Sequence, residues 1–470
     1  MDFDDLDAQP GCRLYDIVVY GATGITGALV AEHLDELIAS GKTDKKWAIA
    51  GRNEEKLKKL AKNCKTNPGV IKAETQEDLD WVAEVSSVII ATAGPYLLIG
   101  QAVVEACVKH STHYIDVTGE IVYNRRCIDK YHDEAKEKGI MIVVMVGFMC
   151  ALSDYNLYIL QQELGPLKRF HEYIMCTAAV RGGGSFLSGW SQFEHMRTDE
   201  PPLLIDPFSL GGHRKCGKRD IDKDAVEAYK SEFFPNVYCS TGFAGHPGVR
   251  VCRRSCELFE NSVDAIEFGE EIVISSCDCT FSHGQAKLNA QMAKPPEDIK
   301  KIMSNAQAME DGLMKGAGGR PGYGAPRETR LLSQSKCYAI AESVDGKWAN
   351  VKFDGPEGYE FTAQAAVNGA IVFVEEQDKV RASERGGVVT PSFAFHGTTW
   401  RERLADQSWA LGPGVNTTWT LNQGMLTEAE FEATLKGVDQ HSKDFSKKMM
   451  TGEYASCELP ELVTGRHLKK

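Results

Sequence analysis

The sequence contains no run of roughly 18 or more apolar residues, so no membrane-spanning helix is expected. It has no basic excess: 53 Lys and Arg stand against 66 Asp and Glu, for a net charge of -13. That balance excludes broad electrostatic attraction to nucleic acid or acidic lipid, while leaving room for a local basic pocket. There are 14 cysteines, but no two are spaced as CxxC. Neither the Cys277/Cys279 pair nor the Cys252/Cys256 pair has a His/Cys set beside it, so no metal site is expected. Buried thiols, in the cytoplasm or another reducing intracellular compartment (an organelle included), account for them better. The opening "MDFDDLDAQPG" has neither a basic n-region nor an apolar h-region, so neither a signal peptide nor an ordinary transit peptide is expected. No internal repeat is visible.

What is present is ample material for a core: 43% hydrophobic and 25% charged residues in a chain of 470. A single ordinary domain has roughly 100–200 residues, so two domains are expected. Through residue 150, strand and helix alternate. "DIVVY", "KWAIAG", "GVIKA", "SVIIATAG", "HYIDVTG" and "IMIVVMVG" read as strands, with amphipathic runs between them. Asn53 and Thr75 stand where helix caps belong. This alternation predicts an α/β fold, a doubly wound parallel sheet over residues 15–150 behind an acidic tail at 1–14. Beyond residue 150 the alternation fails. "RFHEYIMCTAAV", "EEIVISSCDCTFSHG" and "KCYAIAESVDGKWANVKFDG" read as longer strands of a mixed or antiparallel sheet, in a second α/β (α+β) domain at 151–357. A tail at 426–470 is charged and partly helical.

The stretch "YDIVVYGATGITGALVAEHL" places Gly21, Gly24 and Gly27 between the first strand and the first helix. In this position Gly21 permits a tight turn, Gly24 lets backbone approach a phosphate, and Gly27 lets helix and strand pack closely. Free N–H groups around Ile25 at the helix N-terminus favour an anion, and Thr23 and Thr26 add hydroxyl donors. The candidate ligand is a dinucleotide. At the end of the second strand, "AIAGRN" offers no carboxylate for a ribose 2′-OH. Arg52, followed by Asn53, can instead hold a 2′-phosphate through charge-assisted hydrogen bonds, which favours NADP over NAD. The structural alternative is an Arg52 that only covers the sheet edge. In "ATAGPYLLIG", Ala93, Gly94 and Pro95 would let the cofactor lie over the strand end, and Tyr96 would wall the nicotinamide or donate a proton.

These stretches, with "GPYLLIGQAVVEAC", "HYIDVTGE", "GGSFLSGW", "CRRSCEL", "DGPEGYEFTAQAAV" and "GGVVTPSFAF", resemble the saccharopine dehydrogenase-like oxidoreductase family, which includes trans-acting enoyl reductases. The resemblance implies a Rossmann domain and a substrate or dimerisation-like domain. It also implies a C-terminal segment, here 358–425, whose helix returns to the Rossmann domain. Two features depart from the family pattern. After Gly-Phe at the sixth strand, an Asp is replaced by Met149 and a Pro by Leu152, with Asp154 left in a different register. The polar stretch "PPEDIKKIMSNAQAMEDGLMKGAGG" stands where some relatives have a hydrophobic segment.

A bound nicotinamide supplies the hydride, so the protein must orient the acceptor and supply a proton. No tyrosine has lysine four positions on, and Tyr131 with Lys136 is one position out, so the short-chain dehydrogenase pair is excluded. The catalytic candidates are Tyr96, Glu120 and Ser185. Glu120 is either a general acid or a helix cap, and Ser185 in "RGGGSFLSGW" either binds substrate or caps a helix, with Ser188 and Trp190 beside it. Asp116 lies at the ligand edge, His132 reads as structural, and Arg253 and Arg254 either bind an acidic substrate or, the preferred reading, are surface charges. The expected function is NADP(H)-dependent hydride transfer to or from a C=C, C=N or C=O bond of a small-molecule or acyl substrate. The alternative is a catalytically impaired nucleotide-binding subunit or scaffold. A homodimer or a larger complex suits either reading.

Overall fold

The computed structural model describes residues 13–176, 182–196, 203, 206–212, 219–225, 227–292, 322–380, 382–405 and 417–451. Seven parallel strands form the first sheet: β1 (Tyr15–Tyr20), β2 (Trp47–Gly51), β3 (Gly69–Lys72), β4 (Ser86–Ala91), β5 (His113–Asp116), β6 (Met141–Val143) and β13 (Gly387–Val389). Their order is β13-β6-β5-β4-β1-β2-β3, a doubly wound Rossmann arrangement with one strand added beyond β6. The central strands are buried along nearly their whole length, which is why they read as unbroken apolar runs rather than alternating ones.

Helices α1 (Ile25–Ala39), α2 (Glu54–Asn63), α3 (Gln76–Glu84), α4 (Tyr96–Lys109) and α5 (Ile121–Glu137) make the crossovers. The expected caps are present. Asn53 Oδ1 accepts from the Lys56 N–H at 2.9 Å, and Thr75 and Asp78 form a reciprocal capping box. Helix α4 begins at Tyr96, and α5 at Ile121, both directly at the cleft edge of the sheet.

Helix α6 (Phe148–Leu164) leads into the second sheet: β7 (Leu167–Cys176), β8 (Tyr229–Lys230), β9 (Tyr238–Ser240), β10 (Val273–Thr280), β11 (Gln334–Ser343), β12 (Trp348–Pro356) and β14 (Thr418–Gln423). Its order is β14-β12-β11-β7-β10-β9-β8, and only β7 and β10 pair in parallel. The expected mixed sheet is thus the one observed. The returning helix Gly358–Glu375 lies against α1, β4 and β5, and Gly387–Val389 follows it into the first sheet beside Met141–Val143. The tail is described through residue 451. Helix Glu428–Met450 docks on the second sheet through buried Phe431, Leu435 and Val438, with Phe431 stacked on Phe234 at 3.9 Å between ring centroids. No helix among the described residues is long and apolar enough to cross a membrane. The polar stretch at 295–319 lies outside the described residues.

Candidate active site

One cleft of about 2420 Å³ opens at the carboxyl ends of β1, β2, β4 and β5 and continues along the second sheet past Ile174 and Asp278. This is the edge where open α/β sheets bind ligands. Gly21 sits at φ +84°, and a Cβ there would lie 2.7 Å from the Ala93 amide nitrogen. A Cβ on Gly27 would collide with the Gly21 carbonyl oxygen and lie 2.7 Å from Thr92 Oγ1. A Cβ on Gly24 would meet only the Gly21 carbonyl, at 3.6 Å, and Gly24 lines the cleft. The three glycines therefore answer three demands: a turn, a ligand-facing surface and a helix–strand contact. No side chain caps α1. Its first N–H groups face the cleft beside Thr23 and Thr26, which suits a diphosphate. This bare, uncapped cradle fits a dinucleotide.

Arg52 is exposed at the lip of the cleft, and Lys56 lies one turn into α2 on the same lip. Among the described residues neither is held in an ion pair. Lys56 carries no motif, and only the helical step from Arg52 could have singled it out. Ala93, Gly94 and Tyr96 line the middle of the cleft. Pro95 is the N-cap of α4.

The structure brings Tyr96 and Glu120 together, but in a supporting arrangement. The Tyr96 hydroxyl donates to the Ala91 carbonyl at 2.8 Å. Glu120 accepts from the Tyr96 N–H at 2.9 Å and the Leu97 N–H at 2.7 Å, so one carboxylate caps α4 from the adjoining strand end. Burial raises its pKa, while hydrogen bonds from Ser188, Tyr96 and Leu97 oppose the rise. Ser185 meets a partner that the sequence reading missed. Its Oγ lies 2.6 Å from the Tyr359 hydroxyl, which also accepts from the Gly182 N–H at 2.7 Å. Glu357 caps the returning helix by accepting from the Tyr359 N–H at 2.7 Å, and burial pushes this carboxyl up to about 7. Tyr359 was present in the quoted "DGPEGYEFTAQAAV", but only the topology sets it beside Ser185.

Asp116 is buried behind the cleft, accepting from the Met145 N–H at 2.9 Å, and burial raises it to about 7. Asp154 is equally buried, accepts from Ser255 Oγ and the Ser392 N–H, and does not line the cleft, whereas Met149 does. His132 Nδ1 accepts from the Val388 N–H at 3.1 Å, a structural role. The expectation of surface charge at Arg253 and Arg254 is corrected: they are 2% and 5% exposed. Arg253 lies 4.1 Å over the Phe208 ring and 3.4 Å from Asp222, and Arg254 donates to the Val388 carbonyl at 3.2 Å. The side chain of Trp190 lies outside the described residues.

The sequence profile of the saccharopine dehydrogenase NADP-binding domain matches residues 17–143. A trans-acting enoyl reductase of Mycobacterium bovis is 40% identical over 415 residues, covering 82% of this chain and 95% of the relative. The chain belongs to the saccharopine dehydrogenase-like family that includes the trans-acting enoyl reductases. The Mycobacterium ulcerans trans-acting enoyl reductase is 32% identical over 413 residues, 82% of this chain and 94% of its own. The apo saccharopine dehydrogenase (L-Glu forming) of Saccharomyces cerevisiae superposes with a TM-score of 0.46 at 12% identity, covering 87% of this chain and 100% of that one. The family is one of NADP-binding oxidoreductases, and the cofactor of the matched domain is NADP. In this saccharopine dehydrogenase-like protein the matched segment contains the whole glycine cradle and Arg52. The residues around Ser185 and Tyr359 lie outside that segment.

Proposed function

We propose that this protein reduces the C=C bond of an α,β-unsaturated acyl substrate with NADPH. The observation that carries the reading is the continuity of the cleft. One space runs from the glycine cradle, past the Ser185–Tyr359 hydroxyl pair, to the second sheet at Met175 and Phe281. Its volume of about 2420 Å³ exceeds the roughly 300–1000 Å³ of an ordinary small-ligand pocket, so a dinucleotide leaves room for a chain-like acyl group. The relatives named trans-acting enoyl reductases support the same bond type.

The cradle of Gly21, Thr23, Gly24, Ile25, Thr26 and Gly27 holds the diphosphate, with Arg52, Asn53 and Lys56 toward the 2′-phosphate. Ala93, Gly94, Pro95 and Tyr96 carry the nicotinamide half. NADPH, when bound, supplies hydride to the β-carbon. One hydroxyl of the Ser185–Tyr359 pair donates to the other, and the second donates to the thioester or ester carbonyl, where negative charge develops during reduction. Tyr96 and Glu120 hold the turn between β4 and α4 in place. NADPH oxidation against a panel of enoyl thioesters, imines and ketones tests the reading. Oxidation with the enoyl compounds alone is expected, and turnover only with imines or ketones overturns it. Met149, an apolar side chain lining the cleft, favours the second reading of a nucleotide-binding subunit without turnover. NADPH binding without oxidation of any panel member would establish that one.

A further inference from the structure

Reduction of a C=C bond needs a proton as well as a hydride, and the Tyr96 hydroxyl donates to the Ala91 carbonyl while Glu120 accepts from two N–H groups. Met149 has none to give. His246 lines the same cleft from the helix Gly242–Glu260. Its Nδ1 lies 3.1 Å from Asp224 Oδ2, so Nε2 is the ring nitrogen left for the cleft. Asp224 is held in turn by Arg250, whose Nη2 is 2.6 Å from the same oxygen, while Arg250 Nη1 donates to the His246 carbonyl at 3.1 Å. Burial pushes the Asp224 carboxyl up, but the His246 hydrogen bond and the Arg250 charge outweigh it, and its pKa is lowered. An ionised carboxylate fixed in this way sets both the tautomer and the orientation of the imidazole.

The flanking residues locate this turn of the helix. A Cβ on Gly119, next to Glu120, would lie 3.5 Å from the Pro247 ring, and a Cβ on Gly248 would lie 3.7 Å from the Met149 carbonyl oxygen. The backbone around His246 therefore packs beside Gly119, after β5, and Met149, after β6. The His246 side chain is 34% exposed, which keeps it in contact with solvent protons.

We propose that His246, oriented by Asp224, is the catalytic acid that protonates the α-carbon of the acyl substrate; this rests on the enoyl reductase reading above. His246 starts as the imidazolium: the β-carbon accepts hydride, the former π electrons at the α-carbon take the Nε2 proton, and NADPH ends as NADP⁺. The neutral imidazole keeps its Nδ1 proton on Asp224 and regains the other from water. General acids of this kind contribute about 10²–10⁴-fold.

The test compares wild type with His246→Ala and His246→Gln, using crotonyl-coenzyme A as the probe and NADPH fluorescence to report cofactor binding. Both variants are expected to bind NADPH like wild type and to lose about 10²–10⁴-fold in kcat. Added imidazole is expected to restore turnover to His246→Ala but not to His246→Gln, whose amide still fills the site. A merely structural histidine would show no such rescue. Unchanged kcat in a variant that binds NADPH, or loss of kcat without rescue in the alanine variant, overturns the proposal. Absence of turnover in wild type overturns the enoyl reading itself, a result distinct from either.

Discussion

Arg330 Nε lies 2.7 Å from Glu360 Oε1, and the two side chains are 2% and 4% exposed. His33 Nε2, on α1, lies 3.3 Å from the other Glu360 oxygen. The triad ties the helix that opens at the glycine cradle to the returning helix and to the segment Arg327–Leu332. Burial pushes Glu360 up, but Arg330 and His33 pull it down to about 2. A carboxyl with its folded pKa below the ordinary 4.5 stabilises the fold above that value and stops doing so as pH falls through about 2. Thermal unfolding followed against pH should show this loss between about 4.5 and 2. Arg330→Met should cost about 3–5 kcal/mol at neutral pH by leaving a buried carboxylate without its guanidinium, and should flatten the acid slope.

The glycines of the cradle should separate by readout. Gly27→Ala forces a Cβ onto the Gly21 carbonyl and Thr92, so a loss of about 1–3 kcal/mol of stability is expected, seen as a lower Tm. Gly24→Ala has only a 3.6 Å contact to accommodate, so its Tm should match wild type while NADPH affinity falls. Calorimetric unfolding and fluorescence titration on the same two samples check both halves.

Arg52→Ala should weaken NADPH binding and leave NADH binding unchanged, since only the former carries the 2′-phosphate. Loss of hydrogen bonds to a charged group costs about 1.5–3 kcal/mol, or roughly 10- to 100-fold in Kd. Lys56→Ala should act in the same direction with a smaller effect, because an ammonium lacks the paired donors of a guanidinium. Parallel titrations with the two coenzymes measure it.

The Rossmann half is legible in the sequence because its signals are local. Each cradle glycine answers a demand from a neighbour in the same β1–α1 turn or the adjoining strand, and Asn53 and Thr75 cap helices that begin one residue later. What escapes the sequence is made by distant segments. Gly387–Val389 is too short to show a period, and its strand character comes from pairing with Met141–Val143. Arg253 and Arg254 look like surface charge until Phe208, Asp222 and Val388 close over them. His246 stands in no motif, and its partner Asp224 lies in a separate loop before β8 and β9. The cofactor half of the site is therefore written in spacing, and the substrate half in tertiary contact.

Glu120 poses the sharpest choice between chemistry and support, and substitution by glutamine decides it. As the cap of α4, the carboxylate accepts two N–H groups at once, at 2.9 and 2.7 Å. Glu120→Gln keeps one acceptor and turns an amide NH₂ toward the other N–H, so one buried donor goes unsatisfied at a cost of about 1–3 kcal/mol. The turn carrying Ala93 to Tyr96 should loosen with it, lowering Tm and raising KM for NADPH. At saturating NADPH the single-turnover rate should stay within about 10-fold of wild type, whereas removing a general acid would cost about 10²–10⁴-fold. A Glu120→Gln protein with wild-type Tm and a rate in that lower range would return Glu120 to the chemistry and take its helix-capping role away.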